Sequence, residues 1–165
     1  MGEMMASLSE ASIMVICLDE FQEYDWNGRL FVRTREDACL FRSTLELLEL
    51  MEENYDELDY PQMSMNNRRF SSSVGTEYET DHTKQREDFR PAERGKRAVV
   101  LSKEDLEQKR GGKATFLVRV QYRQRATWQG QVTWLEKNRT VSFRSALELL
   151  KLIDSVENGK ESWWI

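Results

Sequence analysis

The sequence predicts an α+β fold: two β-β-β-α repeats forming an antiparallel sheet with two helices, related by a pseudo-twofold axis and joined by a long disordered linker. Three observations lead there. Trp26-Asn27-Gly28 and Trp128-Gln129-Gly130 stand 102 positions apart, and the same ungapped offset relates Phe41-Arg42-Ser43-Thr44-Leu45-Glu46-Leu47-Leu48 to Phe143-Arg144-Ser145-Ala146-Leu147-Glu148-Leu149-Leu150. A shared offset over a shared W-x-G and F-R-S-x-L-E-L-L is the mark of an internal duplication. Apolar residues alternate around each W-x-G, as in a half-buried strand, and recur at helical spacing after each F-R-S.

Each element follows in order. Ile13–Leu18 is short and rich in β-branched residues, which favours a strand. Its counterpart, Thr115–Arg123, places Phe116, Val118, Val120 and Tyr122 on one face and Leu117, Arg119, Gln121 and Arg123 on the other. By the offset, Met14, Ile16 and Leu18 share the core face. The second strand of each unit alternates as Trp26, Gly28, Leu30, Val32 or Trp128, Gly130, Val132, Trp134, with the glycine relieving a turn or bulge. A polar turn and a short third strand follow, Ala38–Phe41 or Thr140–Phe143. Ser43-x-x-Glu46 and Ser145-x-x-Glu148 read as capping boxes that open the helices. Leu149, Leu152, Ile153 and Val156 form a buried stripe, as do Leu47, Leu50 and Met51. One such unit of ~45 residues buries too little apolar surface to stand alone. The two are expected to pair, either as one six-stranded sheet, which is favoured, or as two packed half-sheets.

The domain plan is therefore a first unit at 1–62, a flexible charged linker at 63–112 and a second unit at 113–165, with both units in one globular domain. The linker has a serine tract, Ser71-Ser72-Ser73, and a dense mixed-charge run from Glu77 to Arg97. Such a composition cannot offset its ordering entropy by burial. Near its end, Ala98–Leu101 followed by Ser102-x-x-Asp105 offers an alternative, a short strand and a capped helical turn.

Charge is divided unevenly: residues 1–60 sum to −11, 61–112 to +2 and 113–165 to +4, within a net −5. This bears on partners and not on fold. No apolar run approaches the ~20 residues needed to span a bilayer, and the opening residues lack a basic region before their short apolar stretch. The expectation is a cytoplasmic protein. Cys17 and Cys39 lie in predicted strands without a metal or redox spacing and read as buried small hydrophobes.

The strings Phe116-Leu117-Val118-Arg119-Val120-Gln121-Tyr122-Arg123, Thr127-Trp128-Gln129-Gly130-Gln131-Val132-Thr133-Trp134 and Phe143-Arg144-Ser145-Ala146-Leu147-Glu148-Leu149-Leu150 resemble a group of small bacterial proteins with a duplicated W-x-G … F-R-S-x-L-E-L-L unit and no assigned activity. Leu58-Asp59-Tyr60-Pro61-Gln62 is similar to the first half of the same group. The resemblance covers both units but not the linker. It implies a bacterial, cytoplasmic protein and nothing chemical.

Chemistry-bearing motifs are sparse. His82 is the one histidine and falls in the expected linker. Glu46 and Glu148 are accounted for as capping partners, and Asp56-Glu57-Asp59 lacks the glycine turn of a calcium loop. Nucleotide, hydrolase and zinc signatures are missing from the sequence. The sequence therefore points to a non-enzymatic interaction or regulatory protein without catalytic residues, metal or cofactor, whose partner is most readily another protein. The alternatives are a nucleic-acid-associated protein using the basic second unit and an acidic nucleic-acid mimic that inhibits a nuclease. The candidate binding surface is Arg119, Gln121, Arg123, Arg125 and Trp128, since a sheet bearing arginine and aromatic groups suits nucleic acid. Trp163 and Trp164 form a candidate C-terminal anchor.

Overall fold

The computed structural model describes residues 4–22, 25–62, 96–123 and 127–157. It is an α+β protein built on an antiparallel six-stranded sheet. In chain order the elements are β1 (Met4–Ser7), α1 (Leu8–Ala11), β2 (Met14–Gln22), β3 (Asp25–Val32), β4 (Cys39–Phe41), α2 (Thr44–Leu58), β5 (Lys96–Val99), α3 (Lys103–Gln108), β6 (Ala114–Tyr122), β7 (Gln129–Trp134), β8 (Arg139–Phe143) and α4 (Ala146–Glu157). The large sheet has the order β4-β3-β2-β6-β7-β8, and β1 and β5 form a separate two-stranded ribbon.

The favoured continuous sheet is the arrangement observed. Its central pairing is β2 with β6, where Met14 lies opposite Val118, Val15 opposite Leu117 and Ile16 opposite Phe116. Val15 thus faces the residue 102 positions on, and the flanking pairs exchange under the same offset. The offset also relates the outer pairings: Gly28 lies opposite Phe41, and Gly130 opposite Phe143.

One face of the sheet carries α2 and α4. Met14, Ile16 and Leu18 pack there with Phe116, Val118 and Val120, beneath Leu47, Met51, Leu149 and Ile153. Both helices start where the serines stand: Ser43 Oγ accepts from Glu46 N–H at 3.1 Å and Ser145 Oγ from Glu148 N–H at 3.0 Å. The expected boxes are only half made, because the Glu148 carboxylate accepts from Arg144 N–H instead of Ser145. The reciprocal pair is complete at Ser102 and Asp105, which open α3.

That helix corrects the reading of 63–112 as a flexible linker throughout. From 96 onward the chain is a strand, a capped helix and a close crossing of the sheet. Leu101 and Leu106 bury the second face of β2, joining Ile13, Val15, Cys17 and Phe31 in an apolar cluster. Buried on both faces, β2 is apolar at every position from Met14 to Leu18, the pattern of a fully covered strand. Arg33 anchors the crossing from within: its Nε donates to Leu101 O and its guanidinium to Glu10 O, each at 2.9 Å, while its own carbonyl accepts from Val100 and Leu101. The exit passes so close to β2 that a Cβ on Gly111 would lie 2.5 Å from Leu18 O. Only glycine fits that approach.

Both long strands carry a bulge, at Asp19 in β2 and at Gln121 in β6. A bulge shifts the two-residue alternation by one. Tyr122, expected on the core face, is accordingly 54% exposed, and Arg123, expected on the open face, is 2% exposed.

Candidate interaction face

The two halves of the sheet differ most on the face away from α2 and α4. In the first half that face is built from Val15, Cys17, Phe31 and Leu40, and the cluster around Leu101 and Leu106 covers much of it, although Leu40 itself stays 70% exposed. The residues 102 positions on are Leu117, Arg119, Thr133 and Ser142. They lie in two rows across β6, β7 and β8: Leu117–Thr133–Thr140 and Arg119–Gln131–Ser142. Gln131, Thr140 and Ser142 are exposed and Leu117, Arg119 and Thr133 half-buried. The Thr133 and Thr140 hydroxyls are hydrogen-bonded at 2.8 Å, a cross-strand pair that adds modestly to the pairing of β7 with β8. The result is an array of hydroxyl, amide and guanidinium groups with hydrogen-bonding capacity.

Of the residues proposed from sequence, Arg119 and Gln121 are on or beside this array. Arg119 is turned toward β2's flank, where its guanidinium meets the Glu10 carboxylate at 3.4 Å. Arg123 and Trp128 are not surface residues, which corrects the expected grouping. The Arg123 guanidinium donates to Pro61 O at 2.5 Å and to Asp56 at 2.8 Å, and lies 5.6 Å from the Tyr55 ring centre. Trp128 is buried edge-to-face against Tyr55 at 5.6 Å between centroids. Both tie the end of α2 to the second half of the sheet. Arg125, Trp163 and Trp164 lie outside the described residues, as does His82. Sequence reading missed Gln131, Thr133, Thr140 and Ser142 because a polar strand face looks the same whether or not another segment covers it.

On the covered half, Asp19 and Arg29 form a two-bonded pair at 2.9 and 3.1 Å. Donation from Arg29, aided by Gly112 N–H and opposed by partial burial, holds the Asp19 carboxyl below its ordinary value. Burial pushes the Cys17 thiol up to about 11, with Arg29 opposing. It is thus an inert core group. Asp25 loses hydration, which would raise it, but the hydroxyl and N–H of Thr44 and the N–H of Trp26 all donate to it, and its carboxyl ends below the ordinary value.

A second surface feature is a shallow groove of about 510 Å³ along α2, lined by Glu49, Glu52, Glu53, Asp56 and Glu57. Arg123 holds Asp56 and Arg35 reaches Glu57 at 3.4 Å. Among the described residues no cluster of three or more His, Cys, Asp or Glu is arranged to hold a metal ion. Among them, too, no helix is long and apolar enough to cross a membrane. Comparison with known protein families, with curated proteins and with solved structures finds no match to this chain.

Proposed function

We propose that this is a non-enzymatic interaction protein of the cytoplasm, made of two fused β-β-β-α units joined by a linker, and that the open face of β6, β7 and β8 receives another protein. The observation that carries the reading is the contrast between matched faces. Where the first unit has Val15, Cys17 and Phe31, the chain spends residues 96–112 to cover them. Where the second has Arg119, Gln131, Thr133 and Ser142, no comparable apolar cluster of the described residues covers the polar face. Such a face suits a hydrogen-bonded, partly hydrated interface of the transient kind rather than an obligate apolar one. Support for the two-unit plan comes from the register, in which Val15 faces Leu117 and both bulges fall at offset-related residues.

Single-stranded nucleic acid is the second reading, favoured by Arg119, Gln121 and the exposed Tyr122 at the end of β6. The burial of Arg123 and Trp128 and the Glu10 partner of Arg119 weaken it. The test is capture of partners from the source cell by the full chain and by a Gln131→Lys/Ser142→Lys variant, with a Glu49→Lys control on α2. Loss of one defined protein with the sheet variant alone is the expected result. Unchanged capture would refute the proposed face. Retention of nucleic acid that weakens steeply with salt would favour the second reading, because release of condensed counterions drives phosphate binding.

A further inference from the structure

The six-stranded sheet ends in β4 on one side and β8 on the other, and the two edges are built differently. β4 is three residues long, and its Cys39 is half-buried against the core. β8 is five residues long. Its first two residues, Arg139 and Thr140, have no strand counterpart at 37–38. Arg139, Thr140, Val141 and Ser142 are all exposed, and Val141, the offset counterpart of Cys39, is 41% exposed. A row of unpaired N–H and C=O groups invites a further strand, so sheet edges are commonly blunted by proline, lysine or a bulge. β8 has none of these, and its pairing with β7 runs unbroken from Trp134–Arg139 to Gly130–Phe143. Among the described residues no strand pairs with its outer side.

Charge separates the two edges as well. From 35 to 42 the chain carries Arg35, Glu36, Asp37 and Arg42, which cancel, whereas from 137 to 144 it carries Lys137, Arg139 and Arg144 with no carboxylate. All three are exposed. We propose that the outer edge of β8 pairs with an extended, acidic segment of a partner protein, which adds a strand to the sheet. The proposal rests on the reading of the chain as an interaction protein and names how the partner is held. In strand addition the main chain supplies affinity and the alternate side chains supply choice. On the side of α4 the incoming residues meet Val141, which lies opposite Val132 and shares its face with Phe143, so apolar residues suit that side. On the other side they meet the Thr140 and Ser142 hydroxyls, which suit polar ones. Arg139 and Arg144 stand ~17 Å apart at the rise of a strand, which places the partner's carboxylates about five residues apart. A second copy of this chain fits poorly. Antiparallel pairing of β8 with itself about Val141 sets Arg139 opposite Phe143 and beside Arg144 of the second copy, which gathers like charges along one seam.

The test uses the full chain, isotope-labelled for NMR, and two capped six-residue peptides in which valine and threonine alternate between terminal glutamates or terminal lysines. Amide shifts centred on 139–143, Overhauser contacts between the peptide and β8 backbones, and binding about tenfold tighter for the glutamate-ended peptide at low salt are expected. Arg139→Glu/Arg144→Glu should reverse that preference. N-methylation of the peptide amides that face β8 should abolish binding, and methylation along the other edge should leave it, which tests the backbone pairing with the protein unaltered. Equal binding of the two peptides, or no shift at β8 with either, would overturn the proposal. Shifts at Gln131 and Thr133 with the β8 backbone unmoved would keep the open face as the receiving surface and overturn strand addition alone. Overhauser contacts in the peptide-free protein from the outer edge of β8 to a second copy, or to another segment of the same chain, would give the edge to that occupant and likewise overturn the proposal.

Discussion

Arg123 offers the sharpest distinction between a binding arginine and a structural one. Its side chain is 2% exposed, whereas that of its partner Asp56 is 58% exposed. Truncation to alanine removes three interactions of unequal weight. The Pro61 carbonyl, in a buried residue, would be left without its charged donor, at a cost of ~1–3 kcal/mol. The Asp56 contact is half in water and contributes ~0–1 kcal/mol. The guanidinium over Tyr55 adds ~0.5–2 kcal/mol. Allowing for overlap among these, Arg123→Ala should cost ~3 kcal/mol, and Asp56→Asn no more than ~1 kcal/mol. For a chain of this size the first corresponds to a fall in thermal midpoint of ~6–12 °C. Urea denaturation followed by circular dichroism and by tryptophan fluorescence would measure both variants. If Arg123→Ala unfolded within ~0.5 kcal/mol of the unaltered protein and instead lost a ligand, the guanidinium would be a surface recognition group and the assignment to the α2 closure would be wrong.

Four other outcomes are expected. Trp26→Ala and Trp128→Ala should each destabilise by ~3–5 kcal/mol, as for other large core truncations; a loss of partner binding at unchanged stability would contradict their burial. Gly130→Ala should be severely destabilising, because its Cβ would lie 2.0 Å from Arg119 O and 2.8 Å from the Val120 Cα, both backbone atoms that cannot rotate away; a stable, natively folded Gly130→Ala protein would argue against the bulge geometry. Leu106→Ala should cost ~2–5 kcal/mol, and limited trypsin digestion should spare Lys103 and Lys109 in the native protein; early cleavage there would refute the docking of α3. The Asp19 carboxyl is held below its ordinary 3.8 in the fold, so its contribution is present above that value and is lost as pH falls through the lowered one. Acid titration of stability should then be shallower in Asp19→Asn, and identical profiles would rule out the Arg29 pair as a source of acid sensitivity.

The sequence by itself determined the elements whose causes are local. Ser43 and Ser145 start helices because a serine oxygen accepts from an N–H three residues on, and the stripe at Leu47, Met51, Leu149 and Ile153 faces the sheet because helical spacing leaves it no other side. The 102-residue offset left the register of β2 against β6 open, because every antiparallel alignment of the two strands exchanges its pairs under that offset; packing chose the one with Val15 opposite Leu117. Tertiary structure decided what depends on contact between distant segments. Arg119, Gln121 and Arg123 follow one another at strand spacing, yet the bulge at Gln121 sends Arg123 to Tyr55 and Pro61, and a bulge is a property of the pairing between β6 and β7 that one strand read alone does not contain. Residues 96–112 look polar and poor in apolar periodicity, but a few well-placed side chains suffice: Leu101 and Leu106 pack on Ile13, Cys17 and Phe31, and Val99 on Ala11 and Leu58. Burial there is a property of the pair of surfaces, which a single segment read alone does not contain.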